Sequence, residues 1–238
     1  MKIVDMHVHC HEMDVGELRT LVEQGYVLVC VSDDYESSLR TLELGGEIEV
    51  RPCIGLHPWE IGRQDYRRVV ELVERSTDTV KCLGEVGLDR QFVPETFERQ
   101  LDFFKQLLAL ARDYGLVLNL HTPRAWREVY ELLLRNDIEK AYFHWYTGPL
   151  DLMEEIQEKG YYVGLNPAFK IQDKHRRVLE VADLEKALTE SDSPYEYKGL
   201  KLNPRLINET VDFLANTRGA SRDYLTSLFY TNYLRLFG

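Results

Sequence analysis

Short apolar runs rich in β-branched residues alternate along the chain with stretches whose apolar positions recur at helical spacing. The runs cover residues 3–9, 26–31, 50–56, 80–86, 116–120, 140–145, 161–165 and 186–188, and a segment of helical period follows each. The clearest predicted helix runs from about Pro94 to Tyr114. Phe97, Leu101, Phe104, Leu107, Leu108 and Ala111 form its apolar stripe, Glu98, Asp102 and Lys105 lie on its polar face, Pro94 suits a start and Gly115 a stop. The early units are short, and the helix after the first strand is expected to be about two turns long. Near-continuous apolar strands imply a parallel sheet covered by helices, and eight strand and helix pairs match the number that closes a TIM-like (β/α)8 barrel. An open doubly wound sheet is the competing architecture. No low-complexity stretch, proline-rich linker or long charge run divides the chain, so residues 1–238 are read as a single domain.

Composition narrows this picture. A hydrophobic content of 44% over 238 residues can fill a sizeable core without disulfides. The cysteines, Cys10, Cys30, Cys53 and Cys82, have no CxxC spacing, and three sit in apolar runs as small hydrophobes would, which predicts a reducing compartment. No basic-then-apolar leader opens the sequence and no apolar run approaches the roughly 18 residues needed to cross a bilayer, so a cytoplasmic location and no membrane partner are expected. A net charge of −11 argues against broad adhesion to nucleic acid, which needs many cationic contacts to phosphate. It leaves a phosphate ester substrate open, because a metal centre supplies its own positive charge.

The candidate chemistry starts at Asp5-Met6-His7-Val8-His9, where strand alternation points His7 and His9 to one side, able to hold a cation between them. Alone that motif is weak. Its weight comes from the positions of the other candidates: His57, Glu85, His121, His144 and Asp192 all fall at or just beyond carboxyl ends of predicted strands, which converge on one face of a barrel. Imidazoles bind borderline metals, carboxylates offset the charge, and a carboxylate can bridge two ions. Water lowered in pKa between such ions is a nucleophile, and a nearby aspartate can take its proton. The chain has no GxSxG, Walker-type or GxGxxG motif, so serine hydrolase, P-loop and dinucleotide-binding readings lack support.

These segments resemble the TatD family of metal-dependent deoxyribonucleases, within the wider amidohydrolase-like barrels. The resemblance rests on Asp5–His9, Gly55-Leu56-His57-Pro58, Gly84-Glu85-Val86-Gly87-Leu88-Asp89, Leu120-His121, Phe143-His144-Trp145-Tyr146-Thr147-Gly148 and Thr189-Glu190-Ser191-Asp192-Ser193-Pro194, in family order over nearly the whole chain. It implies one or two divalent ions (Mg, Mn or Zn), with His7, His9, Glu85 and Asp192 as the first site. Glu85, His121 and His144 would form the second, with Glu85 bridging. It further implies that Asp192 handles the proton of the attacking water, that His57 helps hold the scissile phosphate, and that the reaction is phosphodiester hydrolysis on DNA. The sequence departs from the family after His121, where Thr122-Pro123-Arg124-Ala125 displaces the arginine, after His144, and in the thinned basic segment Lys198–Pro204. Arg124 and Lys201 are candidate phosphate contacts or solvated surface charges. Trp59, Trp145 and Tyr195 either stack a base or pack. Asp5 is either a ligand or a support of the first strand. A hydrolase of a small ester, lactone, amide or phosphomonoester on the same barrel is the alternative reading, because fold and ligands do not fix the substrate. A protein that keeps the metal for stability alone is the third, disfavoured because a structural site needs only one closed shell.

Overall fold

The computed structural model describes residues 2–238. Eight parallel strands form in chain order: β1 (Ile3–Val8), β2 (Tyr26–Cys30), β3 (Arg51–Pro52), β4 (Cys82–Gly87), β5 (Val117–His121), β6 (Ala141–Phe143), β7 (Tyr162–Leu165) and β8 (Ala187–Thr189). Helices α1 (Val15–Glu23), α2 (Tyr35–Glu47), α3 (Arg67–Ser76), α4 (Phe97–Tyr114), α5 (Trp126–Arg135), α6 (Leu150–Glu158) and α7 (Asp173–Val181) follow the first seven in turn. After β8 come an antiparallel hairpin, β9 (Glu196–Tyr197) and β10 (Leu200–Lys201), and then α8 (Ile207–Arg218) and α9 (Arg222–Phe237). This is the expected α/β TIM-like architecture, but the strands form a three-stranded sheet (β1–β3) and a five-stranded sheet (β4–β8). Isolated parallel bridges, Ile54 to Leu83 and Val8 to Ser193, join the two. The third strand is shorter than its apolar run predicts because Pro52 has no N–H for the ladder.

Local sequence explains the elements. Asp14 caps α1 by accepting from the Glu17 N–H (3.0 Å), and Asp34 and Ser37 form a reciprocal capping box at the start of α2. The α4 stripe is buried at Phe97, Phe104, Leu107, Leu108 and Ala111, with Phe103 and Gln100 joining it. Gly115 ends the helix in the left-handed conformation (φ 63°). One apolar cluster runs through both sheets and packs them against α3 to α9, while a second, around Leu18, Leu21, Leu28 and Leu44, seats α1 and α2 on β1 and β2. Among the described residues no helix is long and apolar enough to cross a membrane.

The cysteines correct an expectation. They are buried, as small hydrophobes would be, but they pair as Cys10–Cys30 and Cys53–Cys82. The partners lie 20 and 29 residues apart in sequence, one strand-helix-strand unit each, and neighbouring parallel strands bring their Cα atoms to 5.2 and 4.5 Å. No spacing motif announces such a pair. Paired thiols belong to oxidising compartments or to intracellular proteins of hyperthermophiles, so the cysteines give no support to a reducing compartment. Closing loops of this size contributes about 3 kcal/mol each in the chain-entropy account. Reductant is therefore expected to lower the denaturation midpoint clearly, and the unfolded, unreduced chain to show no titratable thiol. An unchanged midpoint together with four free thiols would contradict the pairing.

Candidate metal centre

His7 lies in β1 and His9 just beyond it, His57 follows β3, Glu85 lies in β4, His121 ends β5, His144 follows β6 and Asp192 follows β8. The barrel gathers all seven at one end, buried except for the partly exposed His9. Register shifts between Asp5 and Val8 and between Leu83 and Val86 re-aim His7 and Glu85 inward. Gly87, at φ 144°, lets β4 approach the His121 carbonyl where a Cβ would collide with it.

The two oxygens of Glu85 face two groups of nitrogens. Oε2 is 3.2 Å from His7 Nε2 and 3.7 Å from His9 Nε2, while Asp192 Oδ1 lies 3.6 and 3.3 Å from the same nitrogens. Oε1 is 2.7 Å from His121 Nδ1, 3.4 Å from His57 Nε2 and 4.0 Å from His144 Nε2. His144 is also 4.0 Å from Asp192 Oδ1 and stacks on His7 with ring centroids 3.5 Å apart, so it stands between the groups.

Ring polarity sorts the histidines. His7 Nδ1–H donates to Asn119 Oδ1 (2.8 Å), whose identity is fixed because Asn119 Nδ2 donates to the Met6 carbonyl. His9 Nδ1 faces Asp33 (3.2 Å), His121 Nε2 faces Asp89 (2.9 Å) and His144 Nδ1 faces Glu190 (2.9 Å). Each outer nitrogen is held as a donor, so in the neutral ring the inner nitrogen presents a lone pair to the carboxylates of Glu85 and Asp192. Lone pairs facing carboxylate oxygens require something positive between them, and the donor set of imidazole nitrogen and carboxylate oxygen fits divalent cations. His57 is reversed. Its Nδ1 accepts the Trp59 backbone N–H (3.1 Å), so the inner Nε2 carries the hydrogen in the neutral ring and points a donor into the centre.

Protonation follows the same geometry. Burial alone would lower His144, but the charges of Glu190 and Asp192 outweigh it and raise the ring to about 9. His9 and His121 are raised against burial in the same way, by Asp33 and Asp192 and by Glu85 and Asp89. Burial and the neighbouring His121 hold His57 below its usual value against the pull of Glu85. Glu190, despite burial, is drawn down to about 2 by His144. In the metal-free chain a proton thus occupies inner nitrogens that a cation would take, so uptake of metal releases protons. Affinity is expected to climb from pH 6.5 to about 9, and a flat profile over that window would contradict histidine ligation. The sign for metal-free stability is set by the same shifts. The raised histidine contributes fully below pH 6.5 and is lost as pH rises through about 9, whereas Glu190 contributes above pH 4.5 and is lost as pH falls through about 2.

Asp5 accepts backbone N–H bonds from Ser191 (2.9 Å) and His7 (3.3 Å), and burial lifts it to about 7; it supports the strand and lies outside the donor groups. A cavity of about 390 Å³ opens over the centre, lined by His9, Glu12, Asp33, Lys174 and the aromatics Trp59, Phe92, Trp145, Tyr195 and Tyr197. Arg124 and Lys201 do not line it. Arg124, at φ 56°, borders a separate surface groove along α5, and Lys201 stands exposed on the second strand of the hairpin. Asn119, Asp33, Asp89, Glu190 and Lys174 carry no role in the sequence pattern alone. Asn119 had a signal, since it shares a strand face with His121 two residues on.

The family model described as TatD related DNase matches residues 4–238. An uncharacterized metal-dependent hydrolase of Methanocaldococcus jannaschii is 25% identical, covering 100% of this chain and 97% of its own. The protein named deoxyribonuclease TATDN3 of Homo sapiens is also 25% identical, over 99% of this chain and 94% of its own. Among solved structures, a TatD homologue from Escherichia coli K12 superposes with a TM-score of 0.87 at 23% identity, covering 99% and 97% of the two chains. A dihydroorotase from Campylobacter jejuni superposes at 0.62 with 13% identity, over 99% and 83%. These last two are likenesses of fold.

Proposed function

This chain belongs to the TatD related DNase family of metal-dependent hydrolases, and from that premise we propose that it hydrolyses phosphodiester bonds in DNA, with residues 1–238 acting as one catalytic unit. The observation that carries the reading is the reversed polarity of His57, a hydrogen-bond donor aimed into a ring of acceptors. A phosphoryl oxygen gathering negative charge needs such a donor. Divalent cations (Mg, Mn or Zn) held by His7, His9, Glu85, His121, His144 and Asp192 would polarise the bond under attack and make water a nucleophile near neutral pH. Glu85 keeps both donor groups in register because its two oxygens face one each. Asp192 accepts the proton of the attacking water, and His57 Nε2–H donates to the phosphoryl oxygen. Asn119, Asp33, Asp89 and Glu190 hold the rings in the tautomer these roles need. The names of the human and other relatives support DNA as the substrate.

The test is a substrate panel. Chelator-stripped protein reloaded with Mg, Mn, Co or Zn is expected to cleave short oligonucleotides and to be silent without metal. Turnover of a carboxylic ester or lactone with every oligonucleotide left intact would replace this reading with a small-ester hydrolase.

A further inference from the structure

A second set of metal-binding side chains stands beside the centre, at the rim of the cavity. A single 3-10 turn, Cys10–Glu12, follows β1 and carries the partly buried His11 and the exposed Glu12, while Asp33 lies shortly beyond the end of β2. The Cys10–Cys30 disulfide ties that turn to the last residue of β2, so the two segments are held side by side. Asp33 divides its oxygens between two histidines: Oδ1 faces His9 Nδ1 at 3.2 Å and Oδ2 faces His11 Nε2 at 3.1 Å. His11 Nδ1 lies 3.3 Å from the Val31 carbonyl, which can only accept, so Nδ1 carries the hydrogen and in the neutral ring Nε2 presents a lone pair. That lone pair faces Asp33 Oδ2 and, at 4.0 Å, Glu12 Oε1. The ring polarity of His7, His9, His121 and His144 is thus repeated outside the centre, on a histidine that the centre does not use.

We propose that His11 Nε2, Asp33 Oδ2 and Glu12 Oε1 hold a further divalent cation, Mn or Zn in type, at the rim of the cavity and separate from the metal centre. One imidazole nitrogen with two carboxylate oxygens is a donor set that such ions take, with water in the remaining positions. Ligands about 2.0–2.2 Å from a tetrahedral ion stand roughly 3.4 Å apart, close to the 3.1 Å between Nε2 and Oδ2. His9 Nδ1 lies within 4.8 Å of the His11 and Asp33 donor atoms, but it carries the hydrogen that Asp33 Oδ1 accepts, so Glu12 completes the set in its place. Glu12 is exposed and its side chain must be ordered to bind, so the rim ion is held more weakly than the ions of the centre. Glu12 and Asp33 both line the cavity, where their charge opposes an anionic substrate. The rim ion offsets that charge and leaves coordination positions for an anionic oxygen. This use by the substrate rests on the phosphodiester reading above; the site itself does not.

Equilibrium dialysis of the folded, oxidised protein against Mn or Zn, with bound ion counted by elemental analysis, tests the site without turnover. Because the rim ion exchanges readily, purification removes it, and the count is taken against free ion near the millimolar range. Wild type is expected to bind one equivalent more than His11→Gln, and that equivalent to be the first lost as free ion falls. The same difference is expected between Glu85→Gln and the Glu85→Gln, His11→Gln double variant, because the rim site does not use Glu85. Glu12→Gln, on an exposed side chain, repeats the test should His11→Gln fail to fold, and is expected to weaken the last equivalent about tenfold or more. In crystals soaked with the ion, an anomalous peak is expected between His11 and Asp33. Equal counts in wild type and His11→Gln overturn the rim site and leave the centre intact, with His11 then a plain ion-pair partner of Asp33. An extra equivalent that vanishes in the Glu85→Gln background overturns its separateness from the centre. A wild-type protein that binds no ion removes the rim site and the metal centre together.

Discussion

Replacing Glu85 with Gln is expected to strip the protein of bound metal and to lower turnover by roughly 10³-fold or more. The loss of several kcal/mol of transition-state stabilisation corresponds to that factor. The two oxygens of Glu85 face the two nitrogen groups, at 3.2 Å from His7 and 2.7 Å from His121. Its carboxylate stays ionised far below its usual range because, although burial opposes the charge, His57, His7 and His121 surround it. The amide keeps the shape, removes the charge and puts a donor where an acceptor is needed. Elemental analysis of the purified variant and kcat under excess metal check this. Normal stoichiometry with normal turnover would remove Glu85 from the centre.

Asp192→Asn is expected to lower kcat by about 10²- to 10⁴-fold, the range for loss of a general base, with a smaller loss of metal than in the Glu85 variant. Asp192 sits at φ 57° with its N–H bonded to the His7 carbonyl (2.9 Å). Asn tolerates the left-handed region as Asp does, so the backbone is preserved and the change isolates basicity. Bound metal and kcat, both measured at saturating metal, distinguish the roles, since a variant that keeps its metal but loses turnover has lost the base and not the ligand. A kcat within tenfold of wild type would assign the proton to another group.

Much of this architecture was legible in the sequence because the period of apolar residues and the strand-end placement of His57, His121 and His144 are local signals. Strand lengths were less so. Pro52 shortens β3, and Trp145 turns the chain out of β6 one residue after His144, an event governed by the Glu190 bond from far along the chain. The orienting partners were hidden for the same reason: Asp33, Asp89 and Glu190 act through contacts 24 to 46 residues away in sequence. Asp89 and Glu190 stood inside recognised motifs without a role, which only the ring polarity of His121 and His144 supplies. Arg124 and Lys201 were chosen for charge alone, and charge does not say which way a loop residue faces. The disulfides were missed because pairing across neighbouring strands leaves no spacing rule.

Four inward lone pairs and two carboxylates would hold metal at this centre while His57 donates. Anomalous diffraction at the absorption edge of Mn or Zn, on crystals soaked in that ion, tests it most directly. The expected result is anomalous density beside Glu85, within reach of the inner nitrogens of His7, His9, His121 and His144, with His57 Nε2 outside the coordination shell. Peaks ligated by His57, or none near Glu85, would contradict it.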